Sequence, residues 1–125
     1  MFQATALTSS QMAERGHPPD HVGFLVQLDT HSGSLLSYDL TAQAALRDGG
    51  GHEAQALGWE PQSEDSHHRS GLLYFPLSQA MVTSEALYME ISLRDLGGVP
   101  ERVLRWEPPP PPFQGSSSVS SAGER

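Results

Sequence analysis

Six histidines carry the chemical promise of this 125-residue sequence. His17 and His21 lie four apart, His31 sits inside Asp29-Thr30-His31-Ser32, His52 follows a glycine run, and His67 adjoins His68. Imidazole is the commonest transition-metal ligand in proteins. A corner at His31 meeting a loop end at His67 or His68 would make a copper or zinc site at one pole of the fold, with Asp29 as ligand or outer acceptor. A plainer reading stands beside it, in which Asp29 to Ser32 is a turn capped by its own Asp and Ser and the histidine pair leads into a strand. Neighbours on a strand point to opposite faces, so only one of His67 and His68 can serve a given site, and no established metal-site spacing is present. Met12, Met81 and Met89 would add thioether ligands for copper, but Met89 falls in an apolar row and reads as core.

Catalysis has little to stand on. Asp29, His31 and Ser32 hold the residue types of a hydrolase triad, but four consecutive residues cannot supply nucleophile, base and orienter from separate directions. No G-x-S-x-G elbow occurs. Cysteine is absent, which removes thiol nucleophiles, thiolate metal sites and disulfides. All seven basic residues are arginine, so a Schiff-base lysine and a P-loop lysine are excluded as well. The chain reads as a non-enzyme, with no catalytic residues and no cofactor other than the copper or zinc considered above.

Charge limits the partners. Fifteen acidic residues against seven basic ones leave a net charge of -8, whereas nucleic-acid binding draws on clustered Lys and Arg. Nucleic acid is therefore an unsuitable partner. No stretch approaches the run of about 18 apolar residues that a membrane span needs, and 1–17 lacks the basic and apolar regions of a signal peptide. Another protein is the expected partner. The proline run of 108–112 would suit a spacer, or the aromatic groove of a proline-binding domain.

The elements that must position these residues are strands. Val22, Phe24, Val26 and Leu28 alternate with Gly23, Leu25, Gln27 and Asp29, which puts one apolar row on a buried face. The pattern resumes at Leu36, Tyr38 and Leu40, predicting a second strand. A third is expected over 44–47, turning through Asp48-Gly49-Gly50-Gly51 into 52–59. The stretch 60–66, with its acids, serines and proline, is expected as an exposed loop. Leu73 and Phe75 mark a strand that Pro76 ends, and 77–85 should cross between sheets. Leu87, Met89, Ile91 and Leu93 make a half-buried strand, joined through Gly97-Gly98 to a partner over 102–106. About seven short strands without a long helix predict an all-β, antiparallel immunoglobulin-like β-sandwich. The domain is expected over 21–107, with 1–20 a flexible N-terminal segment that supplies at most a short helical turn or an edge strand over 2–7, and 108–125 a disordered tail rich first in proline and then in Ser and Gly, with no packed structure except at Phe113.

Three stretches taken in order, LDTHSGSLLSYDL, HHRSGLLYFP and ISLRDLGGVPERVLRW, resemble small bacterial domains of envelope proteins and lipoproteins. That resemblance spans about 22–106 and implies a β-sandwich in an extracytoplasmic setting. No activity, cofactor or ligand comes with it. The expected function is that of a non-catalytic accessory or protein-interaction module. The competing expectation is a metal-binding domain built from His31, His67, His68 and Asp29.

Overall fold

The computed structural model describes residues 2–31, 33–83, 86–110, 113 and 121–123. Along them the chain forms β1 (Phe2–Ala6), α1 (Ser9–Glu14), β2 (His21–Asp29), α2 (Leu40–Gln43), β3 (Ala44–Asp48) and β4 (Glu53–Gln55). It continues through β5 (Gly58–Glu64), β6 (His68–Pro76), α3 (Gln79–Thr83), β7 (Met89–Leu96), β8 (Val99–Trp106) and β9 (Ser121–Gly123). Sheet A has the order β5-β6-β2-β1-β9 and sheet B the order β4-β3-β7-β8, every pairing being antiparallel.

The two sheets face each other across one core. Val22, Phe24, Val26 and Leu28 of β2 supply the central row of sheet A, flanked by Phe2, Ala4 and Ala6 of β1 and by Leu73 and Phe75 of β6. Leu46, Met89, Ile91, Leu93, Leu104 and Trp106 answer from sheet B. Phe24 packs edge-on to Phe75, ring centres 5.8 Å apart, and lies 5.1 Å from the Trp106 ring. Burying such side chains is the main stabilising term, roughly 1.5–3 kcal/mol each. Chain direction alternates between layers: β1 and β2 in sheet A, β3 and β4 in sheet B, β5 and β6 back in A, β7 and β8 back in B. The crossover expected over 77–85 is the link through α3.

Two expectations are corrected, those for 36–40 and 60–66. Within 1–20 the chain forms the strand β1 and the short helix α1; β1 lies inside sheet A between β2 and β9 rather than at an edge, so Phe2, Ala4 and Ala6 are buried. The strand expected at 36–40 is a loop leading into α2: Leu36 is exposed, and the Asp39 carboxylate accepts from Ala42 N at 3.2 Å as the helix cap. The stretch 60–66, expected as loop, is for the most part β5, an edge strand whose residues pair with β6 through Glu64. In the C-terminal stretch, Phe113 packs against the core and Ser121–Gly123 pairs with β1, while the remainder of 111–125 lies outside the described residues. Among the described residues there are nine strands, of which β4 and β9 are only three residues long.

Candidate functional site

The β2–β6 register sets Asp29 opposite His68 on the outer face of sheet A. His68 Nδ1 lies 2.5 Å from Asp29 Oδ1. That hydrogen bond holds the imidazole pKa above its ordinary value, against the smaller opposing effect of desolvation. Gln27 Nε2 donates to the other Asp29 oxygen at 3.4 Å. Below the pair, Asp65 accepts from the backbone nitrogens of His67 and His68 at 2.9 and 2.8 Å, and these bonds keep its carboxyl below the usual carboxylate range. The pair borders an open concavity of about 550 Å³ that continues over Gln3, Thr5, Gln27, Gln62 and Ser70.

The corner and the loop end do meet, through backbone: Thr30 N donates to His67 O at 2.9 Å. His31 borders a second concavity of about 200 Å³, shared with Leu96, Gly97 and Arg102, whereas His68 borders the first. Asp29 touches both concavities, and His67 is exposed. Of the predicted ligands, Asp29 and His68 are thus in contact, and Ser32 lies outside the described residues. Among the described residues no group of three His, Asp or Glu side chains is placed to hold a metal ion. Met12, Met81 and Met89 are all buried.

A second histidine cluster lies further along the same outer face. Thr8 Oγ1 accepts from Gln11 N at 3.1 Å and Gln11 Oε1 from Thr8 N at 2.8 Å, a capping box that starts α1. Met12 of this helix rests on Gly23 and Leu72; a side chain at Gly23 would occupy the space of the Met12 thioether. Gly16, at φ +84°, ends the helix in the left-handed conformation, and His17 N returns to Met12 O at 3.1 Å. His21 N then closes a turn on Pro18 O. The result brings His17 Nδ1 to 3.1 Å from His21 Nδ1, while His17 Nε2 lies 3.1 Å from Glu60 on β5. Tyr74 meets His17 edge-on at 4.7 Å and stacks on His21 at 5.4 Å. The sequence signals for this site were the T-x-x-Q box and the four-residue histidine spacing.

The outer face of sheet B carries a ladder of paired charges, in which the buried Arg47 Nε alone lacks a partner among the described ladder residues. Glu90 on β7 accepts from Arg105 at 2.9 and 3.1 Å and pairs with Arg47 at 2.9 Å, one neighbour from each flanking strand. Arg47 also reaches Glu101 at 3.1 Å, and Ser92 Oγ donates to Glu101 at 2.7 Å. The Ser92 bond, then Arg47, holds the Glu101 carboxyl below its ordinary pKa, desolvation opposing them. Arg105 completes the ladder by lying 3.9 Å over the Tyr88 ring.

No helix among the described residues is long and apolar enough to cross a membrane. No protein-family model, curated protein or solved structure matches this chain.

Proposed function

We propose that this chain is a non-catalytic interaction module of immunoglobulin-like architecture, which presents the outer face of sheet A to another protein at the bacterial envelope. The strand order supports the architecture: β1-β2-β6-β5 against β4-β3-β7-β8 follows the A-B-E-D and C′-C-F-G arrangement of immunoglobulin domains, with β9 added beside β1. The envelope setting rests on the sequence resemblance alone.

The observation that carries the reading is the 550 Å³ concavity on sheet A. Its amides and hydroxyls, from Gln3, Thr5, Gln27, Gln62 and Ser70, offer uncharged donors and acceptors on an open sheet face. On sheet B, by contrast, Arg47, Glu90, Glu101 and Arg105 are engaged with one another. Strand addition at an edge is a poorer route. β5 carries Pro61, Glu60, Glu64 and a register shift, β8 carries Pro100 and Glu101, and β4 and β9 have three residues each. Such devices blunt sheet edges against pairing with another chain.

A photoreactive phenylalanine analogue placed singly at Gln27, Ser70 or Arg94 tests this in cell-envelope extracts. Discrete adducts from Gln27 and Ser70 but not from Arg94, lost on adding excess unlabelled protein, are expected. Equal labelling from all three positions, or none from Gln27 and Ser70, overturns the assignment of the face.

A further inference from the structure

We infer that His17 and His21 form a binding site for a divalent transition ion, with Glu60 orienting the first ligand; this goes beyond the interaction reading and does not depend on it. Two imidazole nitrogens 3.1 Å apart cannot both carry a proton, so one of the two Nδ1 atoms presents a lone pair to the other's N–H. His17 keeps its proton on Nε2 toward Glu60, so the shared proton is His21's, and an ion that takes its place gains both Nδ1 lone pairs as that proton passes to His21 Nε2. Metal–imidazole bonds of about 2.0–2.1 Å in tetrahedral geometry set two ligating nitrogens about 3.3–3.4 Å apart. The rings therefore need to tilt and part by only a few tenths of an ångström.

The surroundings fit a ligand pair. Metal-bound histidine characteristically donates its other ring N–H to a carboxylate, which fixes the tautomer and raises its basicity. His17 already has that arrangement, its Nε2 facing both Glu60 oxygens at 3.1 Å. His17 is fixed in place as well, with a side chain only 7 % exposed. Tyr74 braces both rings, and the absence of a side chain at Gly58 leaves room for the Tyr74 phenol. Glu60 is about half exposed, which leaves the edge of the cluster open to solvent. Two protein ligands leave the remaining positions to water, so the site is an open one, and imidazole ligation suits zinc, copper and nickel alike.

The test uses the full chain, freed of metal by chelation and titrated with Zn(II) alone, following the ring nitrogens of all six histidines by long-range ¹H–¹⁵N NMR. Binding of one ion is expected, with Nδ1 of His17 and His21 moving first. His21→Gln should weaken binding at least tenfold, Glu60→Gln should weaken it about tenfold through the orienting bond, and His68→Gln should leave it unchanged. A first response at His68 or His31 overturns the site. So does a wild-type chain whose His17 and His21 nitrogens stay put up to millimolar zinc, a readout that needs no variant to fold.

Discussion

Arg69 Nη1 donates to the carbonyl oxygen of Leu35 at 3.0 Å, tying a β6 residue to a loop 34 positions earlier. The same nitrogen reaches Tyr38 O at 2.9 Å, Nε pairs with Glu64, and the guanidinium lies 5.5 Å from the Trp59 ring centre. An inward-facing arginine in a strand is costly unless its donors are directed, and here the donors of Nη1 are what order the loop over 35–38. Arg69→Met should destabilise the fold by about 3 kcal/mol in urea unfolding, because two carbonyls and the Glu64 carboxylate lose a charged donor. Arg69→Lys should recover less than half of that, since an ammonium cannot reproduce the planar fork.

Gly23 and Met12 make a second, purely steric prediction. A methyl at Gly23 meets both the Met12 thioether and Leu72, so Gly23→Ala should cost about 1–3 kcal/mol as an overpacked site. The double substitution Gly23→Ala with Met12→Ala should then cost clearly less than the sum of the two singles in the same unfolding assay, which measures the coupling directly.

The charge ladder of sheet B hinges on Glu90, whose side chain is 9 % exposed between two arginines. Glu90→Gln should lower stability by about 2 kcal/mol, the arginines remaining partly solvated. Glu107→Gln, at the exposed end of the Arg105 contacts, should change unfolding midpoints by less than about 0.5 kcal/mol.

His68 gives a pH signature with a definite sign. Its pKa is raised in the fold by the Asp29 bond, so the stabilisation is complete below the unfolded value of about 6.5 and is lost as pH rises through the folded value. An NMR titration should place the His68 midpoint above the ordinary imidazole value, and Asp29→Asn should lower it. A His68 midpoint that Asp29→Asn leaves in place would remove the bond as a solution feature.

Much of this architecture is legible in the residues. The period-two rows of β2, β6 and β7 persist because each strand is covered on its inner face, and the turns at Gly49 to Gly51 and at Gly97-Gly98 follow from residues that accept positive φ, as Gly51, Gly97 and Gly98 do. Where the pattern misled, burial was not what set it. Leu36 and Tyr38 alternate as a strand would, yet Leu36 is 54 % exposed and the loop is held by Arg69 instead. β5 is a strand by its backbone pairing while most of its side chains face water, so it shows no apolar row. β1 hides its row in two alanines. For the candidate sites, Asp29 and His68 stood in the sequence only as members of a cluster around His31, and it is the β2–β6 register that sets the two opposite each other. His17 and His21 required the helix end at Gly16 and the turn at Pro18, local geometry that residue spacing alone leaves open.

The interleaving of the layers bears on how quickly the molecule can assemble. Each hairpin is local, but sheet A closes only when β2 finds β6, with Val22 opposite Phe75, and sheet B only when β3 finds β7. Those partners are separated by roughly forty to fifty residues of chain, so the transition state must close long loops before any central strand gains its second neighbour. Refolding on the millisecond-to-second scale of sandwich domains follows, with the rate set by the β2–β6 encounter rather than by any turn.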